Sequence, residues 1–260
     1  MSSSSLVVEI ESLESLEILE NLEKLFEMTL RGKWEEVVKI YENDPSTHKA
    51  RITQTGRTAL HAAVIQNEKE IVSKLVKVIM KEDREALGVQ NDAGYTALHH
   101  AASVGSVGMC KCIAKDYPQL IGVKTNRSKT PLYIAVLNGK KDAFSYLHSL
   151  CLSSESMASC YSYAKRDRDG TTILHAAIRR EHFDLGYLII HMYEDLVNSV
   201  NNKGLTPIHF LASHSSAFKS GSKLGLWKGL IYKCIVVDEL KLDPSNPHSD
   251  DRKNGVQNYK

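Results

Sequence analysis

The nine residues GRTALHAAV at positions 56–64 form a pattern that the chain repeats four more times. The further copies are GYTALHHAA (94–102), SKTPLYIAV (128–136), GTTILHAAI (170–178) and GLTPIHFLA (204–212), and successive copies start 38, 34, 42 and 34 residues apart. Self-similarity with a period of roughly 20 to 50 residues is typical of solenoids, in which each unit hides its apolar face only against its neighbours. The pattern therefore predicts a stack of similar units.

Each copy predicts a sharp turn that leads into a helix. Glycine opens four of the five copies and permits a positive φ in the turn. A threonine follows two positions later in every copy, where its hydroxyl can accept a hydrogen bond from a helix N–H. Proline follows the threonine in two copies, at a helical position where a missing N–H costs nothing. The predicted turn and cap residues are Gly56, Thr58, His61, Gly94, Thr96, His99, Thr130, Gly170, Thr172, His175, Gly204, Thr206 and His209.

The pattern T-[AP]-L-H-x-A-[AV] resembles the T-P-L-H-x-A signature of the ankyrin repeat. A second apolar series follows the first copy at Ile71, Val72 and Leu75, and its spacing predicts a second, amphipathic helix. A degenerate copy without the entry glycine starts earlier, at Leu25. We therefore predict an all-α fold, an ankyrin-repeat solenoid of stacked helix-turn-helix units with short hairpin-like turns.

Four segments are predicted along the chain. They are an acidic N-terminal arm (1–24), about six ankyrin repeats of which the first and last are degenerate (25–215), a closing amphipathic helix (216–240) and a disordered C-terminal tail (241–260). The first 27 residues hold seven Glu and one Lys. Their Leu and Ile residues recur every three positions, a period that gives no fixed seam on a helix, so a loosely helical arm is expected rather than a coiled coil.

Composition narrows the function classes. The 260 residues are 42% hydrophobic and 25% charged, as in ordinary soluble proteins, and the net charge is +2. So small a net charge, with no aromatic residues interleaved among the basic ones, argues against a nucleic-acid partner. The five cysteines show no C-x-x-C pair, and no apolar run approaches the ~18 residues that span a bilayer. We expect reduced thiols, a cytoplasmic location and no direct membrane contact.

The recurring histidines suggest a metal site or a structural role. His61, His99, His175 and His209 share one repeat position, which Tyr133 fills in the third copy. Equivalent atoms of stacked helices lie roughly 8–10 Å apart, whereas zinc holds its ligand nitrogens at about 2 Å. We therefore expect no metal or other cofactor. In ankyrin repeats, which the pattern resembles, this histidine hydrogen-bonds the turn backbone near its own threonine.

The cysteines and the known catalytic signatures give no evidence of chemistry. Cys110 aligns with a core position of the second helix and is expected to be a small buried hydrophobic residue. Cys151 and Cys160 fall in an insertion, where exposure would permit oxidation. The sequence has no G-x-S-x-G, phosphate-loop, dinucleotide-binding, H-E-x-x-H or kinase motif. We expect neither enzymatic activity nor a small-molecule substrate.

A binding surface is predicted at the turn tips and along the first helices, where ankyrin stacks usually meet partners. Its basic residues outnumber its acidic ones, which favours an acidic protein segment; an ordinary solvated surface is the alternative. Tyr95 is the best hot-spot candidate, and the acidic arm is a candidate intramolecular competitor. The predicted binding face consists of Arg57, Gln66, Tyr95, Arg127, Lys129, Arg168, Thr171, Arg179, Arg180, Lys203 and Leu205.

A more specific resemblance covers residues 22–240. The segments KLFEMTLRGKWEEVVKIYENDP, ARITQTGRTALHAAV, NDAGYTALHHAASVG, KTPLYIAVLNGKKD and GLTPIHFLAS resemble plant ankyrin proteins of the accelerated-cell-death type. The resemblance implies plasma-membrane signalling in defence, cell death and salt stress, with a membrane domain that a Pro-Gly-Gly motif opens. This chain ends at Lys260 without that motif. We expect either a binding module of plant signalling or a soluble fragment of a membrane-associated protein whose spanning domain is missing.

Overall fold

The computed structural model describes residues 20–154 and 167–213, and within these ranges it is helical, with no strand. The predicted all-α ankyrin fold is confirmed. The helices are α1 (20–30), α2 (Trp34–Asn43), α3 (Ala59–Ile65), α4 (Lys69–Glu82), α5 (Ala97–Val104), α6 (Val107–Ala114), α7 (Pro131–Leu137), α8 (Lys141–Ser154), α9 (Ile173–Arg179), α10 (Phe183–Met192) and α11 (Pro207–Ser213).

The helices form two layers in chain order. The inner layer runs from α3 through α5, α7 and α9 to α11, each helix packing on the next, and the outer layer runs from α2 through α4 and α6 to α8. Within a repeat the inner helix also packs against its outer helix, as α5 does against α6. The five sequence copies thus lie side by side in the predicted order.

Small residues on the inner helices let the repeats approach closely. Ala63, Ala101 and Ala135 are completely buried, and larger apolar residues such as Leu60 and Leu98 fill the space between the layers. Burying one such leucine contributes about 1.5–3 kcal/mol, and a single helix pair has no other surface to bury it against. The stack, rather than the single repeat, is therefore the stable unit.

The cysteines of the described chain differ in their surroundings. Cys110 is completely buried, as the sequence indicates, and burial raises the pKa of its thiol to about 12, which keeps it protonated. Cys112 lies on the same helix and is partly exposed. Cys151 is only 1% exposed and is disulfide-bonded, so the expectation of reduced thiols and that of an exposed side chain are both wrong for this residue. Cys160 lies outside the described residues.

The degenerate first repeat consists of α1 and α2. Leu25 and Val37 are completely buried, as the alignment of this copy predicts. Residues 20–24, which the sequence assigns to the acidic arm, are already helical within α1. The rest of the arm and the predicted segments 216–240 and 241–260 lie outside the described residues. In the part that the structure describes, no helix is long and apolar enough to cross a membrane.

Candidate protein-binding surface

Each inner helix is preceded by a hairpin turn, called here the tip, which contains a residue with a positive φ (56, 94, 128, 170 or 204). A polar side chain three residues before that residue stabilises each tip. In the α5/α6 repeat, Asn91 Oδ1 accepts hydrogen bonds from the backbone N–H groups of Ala93 (3.1 Å) and Tyr95 (2.9 Å). Asp167 and Asn201 hold two backbone N–H groups in the same way, and Thr53 and Thr125 each hold one. Sequence reasoning missed these residues, although the same alignment places an Asn, Asp or Thr at this position in every copy.

Backbone hydrogen bonds join neighbouring tips into a ladder. Asp92 N–H donates to Thr55 O at 3.1 Å, and Asn126 N–H donates to Ala93 O at 3.2 Å. The ladder continues through the pairs Arg168–Arg127 and Asn202–Asp169. The tips therefore form a continuous ridge whose spacing the main chain fixes.

Two constraints favour glycine at this position of the tip. Gly94 has a φ of +80°, and a Cβ built on it would lie 2.5 Å from the backbone nitrogen of Asn126 in the next tip. Gly204 also has a positive φ, but an added Cβ there meets no described atom within 4 Å. In the third copy Ser128 occupies this position with a φ of +58°. The positive φ and the close packing of the next tip are therefore two separate constraints on the residue at this position.

The recurring Thr–His pair connects successive repeats. His61 Nδ1 accepts a hydrogen bond from Thr58 N–H at 3.2 Å and lies 2.8 Å from Thr58 Oγ1. The other ring nitrogen, Nε2, lies 2.9 Å from Tyr95 O in the next tip. A carbonyl oxygen only accepts, so Nε2 carries the proton and the ring is neutral.

The same arrangement recurs at His99 and His175, whose Nε2 atoms reach Lys129 O and Leu205 O of the following tips. His209 pairs with Thr206 within its own turn. The sequence indicates the bond to the turn of the same repeat, whereas the bond to the next repeat depends on how the repeats stack.

Burial opposes protonation of these rings. Burial lowers the pKa of His61 to about 4, with Arg57 and Arg51 contributing in the same direction, although the hydrogen bond to Tyr95 O raises it. Burial likewise lowers the pKa of His99 to about 4. Among the described residues, no group of three or more His, Cys, Asp or Glu side chains is placed to share a metal ion.

The predicted binding face is mostly accessible to a partner. Its partly exposed members are Arg57, Tyr95, Lys129 and Leu205, and its exposed members are Gln66, Arg127, Arg168, Arg179, Arg180 and Lys203. Thr171 is the exception, because its side chain is only 2% exposed. Unlike Arg57 or Tyr95 at the equivalent position, it is too short to extend beyond its tip. Thr171 is therefore removed from the predicted binding face.

Four basic side chains of this face influence one another. Burial lowers the pKa of the Lys129 ammonium, and Asp167 partly opposes this change. Three arginines lower it further: Arg127, Arg179 and Arg180. Within residues 20–154 and 167–213, none of these four cations forms a salt bridge with a carboxylate. The centre of the face therefore carries a concentration of unpaired positive charge.

Comparison with known proteins identifies the class. A family model of ankyrin repeats (3 copies) matches residues 25–123 and 74–156, together just over half of the chain. The chain belongs to the ankyrin-repeat family. Ankyrin repeats generally serve as protein-protein interaction modules and are typically non-catalytic.

Three relatives share part of the chain. The protein Accelerated Cell Death 6 of Arabidopsis thaliana is 25% identical over 158 residues, which cover 58% of this chain and 23% of the relative. Ankyrin repeat and SOCS box protein 2 of Bos taurus is 25% identical over 117 residues, 45% of this chain and 17% of the relative. Alpha-latrotoxin-Lh1a of Latrodectus hasselti is 30% identical over 126 residues, which cover 48% of this chain and 8% of the relative. The chain spans less than a quarter of each relative's length.

Proposed function

We propose that this chain is a non-catalytic binding module that holds an acidic protein segment against the predicted binding face. The observation that carries the proposal is the group of cations at Arg127, Lys129, Arg179 and Arg180, none of which forms a salt bridge with a carboxylate that the structure describes. Each like charge disfavours its neighbours when no anion is present, so an acidic ligand relieves repulsion as well as forming new pairs.

Arginine suits this role because its planar guanidinium can bind a carboxylate through two parallel hydrogen bonds. Basic residues spread along a fixed ridge also steer an acidic segment during association. Tyr95, which is partly exposed at its tip, offers the aromatic contact that binding hot spots favour.

Plant signalling or defence is the setting that we propose for this binding. It rests on the sequence resemblance to the accelerated-cell-death type and on the alignment with the Arabidopsis relative over 158 residues. The alternative is that the chain is the cytosolic part of a membrane-associated protein with a spanning domain elsewhere. Sequencing the full-length transcript distinguishes the two, since an in-frame apolar extension after Lys260 supports the alternative and a stop codon opposes it.

The binding face is tested by charge reversal. Affinity purification from plant tissue with the full chain, followed by mass spectrometry, identifies partners. The double variant Arg179→Glu with Arg180→Glu should bind an acidic partner with at least about tenfold lower affinity, because two charge-assisted pairs become repulsive. The matched control, Lys77→Glu with Lys111→Glu, reverses two exposed charges on the outer helices and should bind as the natural chain does. Equal capture by both double variants would show that the face is wrongly assigned.

A further inference from the structure

Two buried polar atoms near the first complete tip have no hydrogen-bond partner among the described residues. They are Arg57 Nε, just after Gly56, and His100 Nε2, on helix α5. An unsatisfied buried donor costs about 1–3 kcal/mol, and native proteins retain few of them. Arg57 directly precedes Thr58, whose N–H bonds to the His61 ring, and that ring meets His100 edge-on, so both groups lie at the boundary between the same two repeats.

The His100 ring has aromatic neighbours on two sides. It stacks on Tyr95, with ring centroids 5.3 Å apart and an angle of 30° between the planes. It meets His61 edge-on at 5.7 Å. His61 cannot satisfy either orphan atom, because its two ring nitrogens already bind Thr58 and Tyr95 O.

Neither orphan atom has an acceptor among the described residues. Asp92 is a nearby carboxylate on the adjoining tip, but it pairs with Arg51 at 3.3 Å. Arg57 forms no salt bridge with any carboxylate of residues 20–154 and 167–213. A guanidinium donates at every nitrogen and accepts at none, so a ligand that completes this site must bring an acceptor, preferably an anionic one.

We propose that Arg57, His100 and Tyr95 form a subsite for one side-chain carboxylate of a bound acidic segment. Arg57 Nε–H and His100 Nε2–H donate to its oxygens, and the Tyr95 ring packs against its methylene groups. The subsite rests on the proposed function, because Arg57 and Tyr95 belong to the predicted binding face and His100 stacks on Tyr95. Tyr95 lies two repeats, and Arg57 three repeats, from Arg179 and Arg180. The subsite would bind one carboxylate at a fixed position, and the basic residues of the binding face would attract the rest of the acidic segment.

The protonation state of His100 agrees with this role. Burial lowers its pKa to about 3, and a positive charge on His61, Arg57 or His99 would act in the same direction, so the ring is neutral at pH 7. A neutral imidazole carries one N–H, and a carboxylate facing Nε2 selects the tautomer with the proton there.

The test uses NMR of the isotopically labelled full chain at low salt, which detects weak binding. The probe is an acetylated and amidated dodecapeptide of alternating Glu and Ala, and its control has Gln in place of Glu. The Glu peptide should shift the Arg57 Nε and His100 Nε2 resonances, and the Gln peptide should leave both unchanged.

Two single variants test the donors separately. Arg57→Lys keeps the charge but removes Nε–H, and His100→Phe keeps a stacked ring but removes the N–H. Each should weaken binding of the Glu peptide by about tenfold, the effect of one hydrogen bond to a charged group. His100→Gln, which retains an N–H donor, should recover part of the loss. The matched control Arg84→Lys, whose guanidinium lies over Tyr117, should have no effect.

The double variant distinguishes one shared ligand group from two. Arg57→Lys combined with His100→Phe should weaken binding by less than the product of the single effects, because both donors serve one carboxylate. If the peptide binds and the Arg179→Glu, Arg180→Glu variant weakens it, while the Arg57 and His100 variants do not, the subsite is refuted and the proposed function stands. If the peptide does not bind the natural chain at all, both are refuted.

Discussion

The Tyr133 hydroxyl donates a 3.0 Å hydrogen bond to Asp167 Oδ2 across the boundary between the α7/α8 and α9/α10 repeats. The other carboxylate oxygen, Oδ1, accepts the N–H groups of Asp169 and Thr171 in the next tip. Where other repeats join a histidine to a backbone carbonyl, this boundary joins a tyrosine to the residue that shapes the following turn. Both side chains are buried, so the pair replaces the Thr–His connection at this one boundary.

Removing the Tyr133 hydroxyl should therefore destabilise the stack. Tyr133→Phe leaves Asp167 Oδ2 buried without its donor, and we expect a loss of about 1.5–3 kcal/mol in the free energy of unfolding. Urea denaturation followed by circular dichroism measures it. Tyr187→Phe is the matched control, because Tyr187 is 38% exposed and should change stability by less than about 0.5 kcal/mol. Equal stability of the two variants would contradict the assigned role.

The free energy of unfolding should decrease as the pH is lowered, because the buried histidines resist protonation in the folded chain. The folded-state pKa values of His61 and His99 are lowered to about 4 from an ordinary 6.5, so the unfolded chain takes up protons first as the pH falls. The loss begins near pH 6.5 and is complete below about pH 4; at pH 5 each histidine should cost about 1–2 kcal/mol. Urea denaturation between pH 7 and pH 4 measures this dependence.

A histidine variant provides the control for that measurement. His61→Asn should be less stable at pH 7, because its bond to the next tip is lost, but its stability should depend less steeply on pH, since one titrating ring is gone. A natural chain of equal stability at pH 7 and pH 5 would be inconsistent with neutral, buried rings.

Two glycine variants separate backbone strain from crowding. In Gly204→Ala the only penalty is the strain of an alanine at a positive φ, because no described atom lies within 4 Å of the added Cβ. The free energy of unfolding should decrease by about 1–2 kcal/mol. Gly94→Ala adds a 2.5 Å contact with the backbone nitrogen of Asn126, so we expect a further loss of about 1–3 kcal/mol. Urea denaturation of both variants gives the difference, and equal losses would show that the tips are not closely packed.

The acidic arm is predicted to compete with acidic ligands. Removing residues 1–19, which keeps the described part of α1 (20–30), should raise the affinity for the Glu–Ala peptide, and the gain should shrink at high salt because exposed charges are screened. A full-length variant with Gln at positions 9, 11, 14 and 17 keeps the length of the arm and should show the same gain. Unchanged affinity in both would dismiss the competition, and fluorescence anisotropy at two salt concentrations measures it.

The tip residues show how far sequence reasoning reaches. The recurrence of Thr and His places each pair at a helix start, because capping is a local interaction within three residues. Asn91 and Asp167 were equally visible in the aligned copies, but their function is apparent only when the hairpin geometry is known. Thr171 occupies the same repeat position as Tyr95, and only the folded structure shows that it is buried.

The sequence by itself determined that the chain is a stack of helix pairs, where each unit turns, and which side of each helix is apolar. These properties follow from local capping, from glycine at a positive φ and from periodic apolar residues. Only the tertiary structure decided that His61 bonds to Tyr95 O, that Tyr133 pairs with Asp167, and that Arg57 Nε and His100 Nε2 have no partner among the described residues. The physical reason is that each of these features involves two neighbouring repeats, so it depends on their spacing and rotation, which the period of the sequence does not specify.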